Sequence, residues 1–187
     1  MNTNTTSVIR LKTSLQESVA DLLNKQIAME SRSSSAYLAM ASWCYTQGLN
    51  GSGDFFKKQS SEERHHMIRI FDYMIDAGAQ PRVPEVTHIE HHFEGLRDVL
   101  VKALEQEISI THSFNNIVDH CHKNKDFVTI KFLQWFLEEQ LEEEQQARRC
   151  IELFDLIGTE DGGLFRIDKE IIRLKAEDTT KPVPKTV

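Results

Sequence analysis

The sequence predicts an all-α fold, a four-helix bundle with a long crossover between its second and third helices and a short fifth helix near the C-terminal end. Three observations predict it. Apolar residues recur every three or four positions over four long stretches, as a 3.6-residue period demands. Glycines and prolines collect between those stretches, where turns are expected. Two of the connections between them are short and one is long, the pattern of a bundle whose second and third helices run parallel, so that the chain crosses its length between them. Strand alternation, internal repeats and a glycine-rich phosphate loop are all lacking.

The first stripe is Leu23, Ile27, Glu30, Ser34, Tyr37 and Ala41. Gly48, Gly51 and Gly53 are expected to separate it from the second, which runs Phe56, Gln59, Glu63, His66, Ile70 and Tyr73. Gly78 ends that helix, and Pro81 and Pro84 open a long connection through His92. A third stripe begins near Gly95 and holds Leu100, Ala103, Glu107, Ile110, Phe114, Ile117 and Cys121. Between His122 and Asp126 the chain turns, with Asn124 expected in a left-handed cap and Asp126 capping the next N-terminus. The fourth stripe is Leu133, Phe136, Gln140, Glu143, Ala147, Cys150 and Phe154. Gly158, Gly162 and Gly163 then set off a short fifth helix through about Leu174. The chain thus divides into an N-terminal extension (1–12), one domain (13–174) and a polar tail with two prolines (175–187) that is expected to fray.

Composition bounds the function. With 187 residues, 40% hydrophobic and 27% charged, the chain is long enough for one ordinary domain with a real core. Its 29 acidic against 22 basic residues give a formal charge of -7, which argues against binding a nucleic-acid backbone and suits cations. No apolar run approaches the roughly 20 residues of a membrane span, and Met1 to Thr6 lack a signal-peptide pattern, so a cytoplasmic location is expected. Cys44, Cys121 and Cys150 are odd in number and widely spaced, which suits buried reduced thiols better than a disulfide or zinc framework.

Each apolar stripe is interrupted by one carboxylate: Glu30, Glu63, Glu107 and Glu143. An unpaired carboxylate moved into a protein interior costs several kcal/mol, and four converging on one core also repel. Bound cations remove that objection. Glu63-Glu-Arg-His66 sets a carboxylate and an imidazole one turn apart on one face, where both can reach one metal. Alone this spacing is common in exposed helices. Its weight comes from the lone glutamates on the other three stripes. The fourth helix offers Gln140-x-x-Glu143 instead of a second Glu-x-x-His.

With those residues assembled, the chain resembles the non-haem ferritins, bacterial type, from about Leu15 to Leu174. The matching segments are Gln-Ile-Ala-Met-Glu30 with Tyr37 and Trp43, Glu62-Glu63-Arg-His-His66, Phe132-Leu-Gln-Trp135, Glu139-Gln140-Leu-Glu-Glu143 and Gly-Leu-Phe-Arg-Ile-Asp168-Lys-Glu. The resemblance implies a ferritin-like fold and a di-iron ferroxidase centre. Glu30, Glu63 and His66 would hold one iron, and Glu63, Glu107 and Glu143 the second, with Glu63 bridging. Gln140 would lie at the edge of the second ion's shell and Tyr37 close by as a hydrogen-bond or electron donor. Glu62, Glu139, Glu142 and Glu143 match a third iron site. Fe(II) would be oxidised by dioxygen or peroxide and stored as ferric mineral in a hollow shell of twenty-four identical subunits. Such assembly would cover apolar residues on the bundle's outer faces, such as Trp43. Oxygen donors with a single imidazole suit a hard cation and leave positions open for an oxidant.

Arg64 stands where bacterioferritins carry a haem-ligating methionine, so haem is not expected. Ile130 and Leu133 stand where animal ferritins line an iron pore with acids, so iron's way in is open at this point. Glu138 and Glu144 are expected on a solvated face, His65 exposed, and His88, His91 and His92 on the surface of the long connection. Trp43, Trp135 and the stripe phenylalanines are packing residues. Two rival readings stand beside iron storage. A di-iron peroxidase or oxygenase would want more histidines or a Cys-x-x-Cys electron-transfer module, and a structural shell subunit would have lost ligands.

Overall fold

The structure, a computed structural model, describes residues 13–178. It consists of α1 (Glu17–Thr46), α2 (Asn50–Asp76), α3 (Leu96–Lys123), α4 (Phe127–Ile157) and α5 (Gly163–Asp178), with no strand among the described residues. α1 packs on α2 and α3 on α4 as two helical hairpins, and residues 77–95 cross the bundle without regular structure. α5 lies against α2 and α4. Its helix continues four residues past the expected end at Leu174; residues 1–12 and the tail beyond Asp178 lie outside the described residues.

The stripes face the core as the period requires. Every named residue of the third stripe is buried, as are Leu133 through Cys150 of the fourth. One apolar cluster, including Met40, Phe55, Phe56, Leu100 and Ile171, fills the end of the bundle nearest α5. A second, including Leu23, Ile70, Phe114, Ile117 and Phe136, fills the other. The carboxylates sit between the two. The three cysteines form no disulfide and are buried, and burial pushes the Cys44 thiol up to about 12 and Cys121 up to about 11. Neither is a thiolate at neutral pH, so neither is poised to bind metal.

Two turn expectations need correction. Between α3 and α4 the left-handed residue is Lys125 (φ 59°), not Asn124, whose side-chain amide instead donates to the His120 carbonyl at 2.9 Å. Asp126 caps α4 as expected, accepting from the Thr129 amide at 3.0 Å. Gly51 and Gly53 belong to the first turn of α2 and not to the loop before it. Their lack of a side chain serves close packing: a Cβ on Gly51 would lie 2.3 Å from the Asp168 carbonyl oxygen, and one on Gly53 2.5 Å from the Tyr45 ring.

Asp168 of α5 supplies the cap that α2 lacks within its own sequence. Its carboxylate accepts from the Gly51 amide at 2.9 Å and the Ser52 amide at 2.6 Å, placing a negative charge at the positive end of the helix. Asp168→Ala is expected to destabilise the protein by about 1–2 kcal/mol, the scale of a lost N-cap. Thermal unfolding of that variant beside Asp168→Asn, which keeps one acceptor oxygen, checks it.

Candidate metal centre

Four helices each deliver one glutamate to the middle of the bundle. Glu30, Glu63, Glu107 and Glu143 are 0–4% exposed, and His66 and Gln140 are equally buried. Glu30, Glu63 and His66 each point one ligand atom into a common space, all three atoms lying within 4.8 Å of one another. The His66 Nδ1 and Glu63 Oε2 are 3.5 Å apart, and neither has a hydrogen-bond partner. Glu30 Oε2 is likewise buried and unpartnered. Buried polar atoms are nearly always satisfied, so three orphaned donor atoms around one point fit a cation.

Glu107 and Glu143 are held differently. Glu107 accepts from the Tyr37 hydroxyl and, at 3.0 Å, from the Gln140 amide. Glu143 accepts from Gln59 Nε2 at 2.5 Å. These two carboxylates are oriented by neutral donors from α1, α2 and α4 and act electrostatically on Glu63 between them. The structure therefore brings the expected first-ion ligands together directly and keeps the expected second-ion ligands on hydrogen bonds beside them.

Electrostatics follow from this crowding. Burial holds the Glu30 carboxyl well above the usual carboxylate range, and the neighbouring Glu63 charge adds to it. Burial also raises Glu63, followed by the charges of Glu107 and Glu143. Both carboxyls are thus held toward the protonated form in the metal-free protein. Tyr37, buried and facing Glu107, is pushed up as well and stays a neutral donor. Its ring stacks on Phe56 at 5.9 Å, and the edges of Trp135 and Phe136 fix the plane of His66.

Of the residues matched to a third site, Glu62 and Glu139 are half-buried and Glu142 is exposed, on the α2 and α4 faces beside the centre. The Arg69 guanidinium lies 4.1 Å over the Trp135 ring and feels the Glu139 charge. His65, His88, His91, His92 and Glu138 are exposed as expected. Trp43 is half-buried against Phe93, so outward apolar surface falls instead to Leu38, Ile75, Val128 and Leu156.

Several contributing residues escaped the reading of the sequence. Gln26 donates to Glu30 at 2.7 Å, and Gln59 holds Glu143; each lies one turn before a site glutamate, the signal that could have found them. Ser33, rather than Ser34, is the serine of α1 that reaches Glu63. Both lie within a turn of Glu30 and Tyr37, so periodicity alone does not choose between them.

Buried carboxylates contributed by every helix of a four-helix bundle define the class of carboxylate-bound metal proteins. The ferritin-like domain family matches residues 20–157, and the chain belongs to it. It is 38% identical to a bacterial non-heme ferritin of Campylobacter jejuni over 157 residues, 84% of this chain and 94% of that one. It is 34% identical to a probable bacterial non-heme ferritin-like protein of Haemophilus influenzae, covering 87% of this chain and 99% of that one. Among solved structures, the open pore ferritin of Archaeoglobus fulgidus superposes with a TM-score of 0.83 at 31% identity, covering 85% of this chain and 98% of that one. No helix among the described residues is long and apolar enough to cross a membrane.

Proposed function

We propose that this protein stores and detoxifies iron, oxidising Fe(II) at a pair of sites in the bundle and depositing ferric mineral inside a hollow homo-oligomeric shell, of twenty-four subunits as in its family. The observation that carries the reading is the trio of unpartnered donor atoms on Glu30, Glu63 and His66, flanked by Glu107 and Glu143. Iron here is substrate. Glu30 and His66 take the first ion, Glu63 bridges, and Glu107 and Glu143 take the second after exchanging the Tyr37, Gln140 and Gln59 hydrogen bonds for metal. Protons held on Glu30 and Glu63 must leave when the ions bind, since ligation needs the ionised carboxylates. Each of two Fe(II) ions gives one electron to a single dioxygen, which with two protons becomes hydrogen peroxide.

The names of the relatives support storage over oxygenase chemistry, and the shortage of histidine agrees. The ferritin relatives and the ferritin structure it superposes on support assembly. No haem is needed, and none of the cysteines takes part.

Glu62, Glu139 and Glu142 form a third site with Glu143 on the same reading, beside the pair and nearer the surface. The variant Glu139→Ala with Glu142→Ala leaves Glu30, Glu63, His66, Glu107 and Glu143 untouched. It is expected to keep the rapid oxidation of two irons per subunit and to change later turnovers and transfer to the mineral. Stopped-flow absorbance over successive additions of Fe(II) distinguishes the two phases.

A further inference from the structure

A cavity next to the centre lies outside the bundle's core, between α1, α3 and the crossover segment. Its volume is about 340 Å³, and its floor is made by Ser33 and Gln106. Gln106 donates to the Ser33 hydroxyl at 2.6 Å, and Ser33 in turn hydrogen-bonds Glu63. One serine therefore separates the cavity from the proposed bridging ligand. A second cavity, at Tyr37, Gln59 and Glu143, measures only about 10 Å³, room for about one water.

We infer that the α1–α3 cavity is the port by which dioxygen reaches the metal pair, separate from the route of the iron. This rests on the ferroxidase reading above. The charge at the cavity decides the reactant. Arg32 and Lys102 on its walls are balanced by Glu90 and Glu105, and Lys102 is already paired with Glu90 at 2.8 Å and Asp98 at 3.1 Å. Such walls carry no excess negative charge to concentrate a dication. Met29, Ala36, Phe93 and Ile110 supply apolar wall between the charges, which suits a small neutral apolar molecule.

The test separates oxidant from iron by loading first. Assembled protein is filled anaerobically with two Fe(II) per subunit and then mixed with dissolved dioxygen in a stopped-flow instrument. Ala36→Phe narrows the cavity from α1 and Ser109→Trp narrows it from α3; Ser109 is exposed, so its variant does not depend on repacking the core. In each, the dioxygen-dependent phase is expected to slow by about tenfold or more, with anaerobic Fe(II) uptake unchanged. Unchanged oxidation in assembled Ser109→Trp and Ala36→Phe overturns the inference. So does an equal slowing of anaerobic Fe(II) uptake, which would make the cavity an iron path. Absence of rapid oxidation in the parent protein would instead overturn the ferroxidase reading itself.

Discussion

His66→Ala is expected to lose most of the rapid oxidation seen at two irons per subunit, while its subunits still assemble. His66 is the imidazole that joins Glu30 and Glu63 in the cluster, and without it the first ion keeps two carboxylates and water. Losing even an outer-shell partner of a metal typically costs about 10–100-fold, so loss of a direct ligand should cost at least that. Alanine adds no buried charge. It does leave space against Trp135 and Phe136, which lowers stability without removing the carboxylates. Stopped-flow oxidation of parent and variant, at matched particle mass, checks the expectation. Equal fast phases would mean that the oxidation happens elsewhere in the molecule.

Glu63→Gln is expected to have two effects of opposite sign. Without metal, Glu63 is a buried carboxyl held well above its ordinary value of 4.5, first by burial and then by Glu107 and Glu143. A carboxyl raised in the folded state binds protons there that the unfolded chain has released. Stability from Glu30 and Glu63 is therefore complete below the unfolded carboxyl range and is lost as pH rises through their folded values. The metal-free protein should weaken from mildly acidic toward neutral pH, and Glu63→Gln should remove part of that slope. The glutamine amide has no charge to be desolvated or repelled by Glu107 and Glu143 as the pH rises. The same variant lacks the bridging carboxylate and should oxidise iron slowly. Unfolding of metal-free parent and variant near pH 5 and pH 7 measures the first effect; a variant that is less stable at pH 7 with an undiminished slope contradicts it.

Much of this architecture was legible because helix periodicity and metal chemistry leave separate marks on a sequence. The third stripe is buried at every named position, its apolar members by packing and Glu107 on hydrogen bonds from Tyr37 and Gln140. The four interrupting glutamates stood out because a carboxylate in an apolar stripe needs a physical reason. What periodicity could not reach was contact between distant segments. The Asp168 cap on α2 joins residues 116 positions apart, and it is this contact that lets Gly51 sit inside a helix instead of a loop. Gln26 and Gln59 look like ordinary polar residues until their partners are placed. The left-handed residue at the α3–α4 turn fell on Lys125 because Asn124 spends its side chain on the His120 carbonyl.

Iron retention by the assembled particle tests the storage reading most directly. The protein is given Fe(II) in air, in large excess over the proposed sites, then separated by size and analysed for iron and mass across the eluted peak. Most of the iron is expected to travel with a particle far heavier than the 21.6 kDa chain, at a ratio well beyond three per subunit. Iron confined to two or three per subunit on a particle of monomer or dimer mass would contradict storage and leave only a metal-binding bundle.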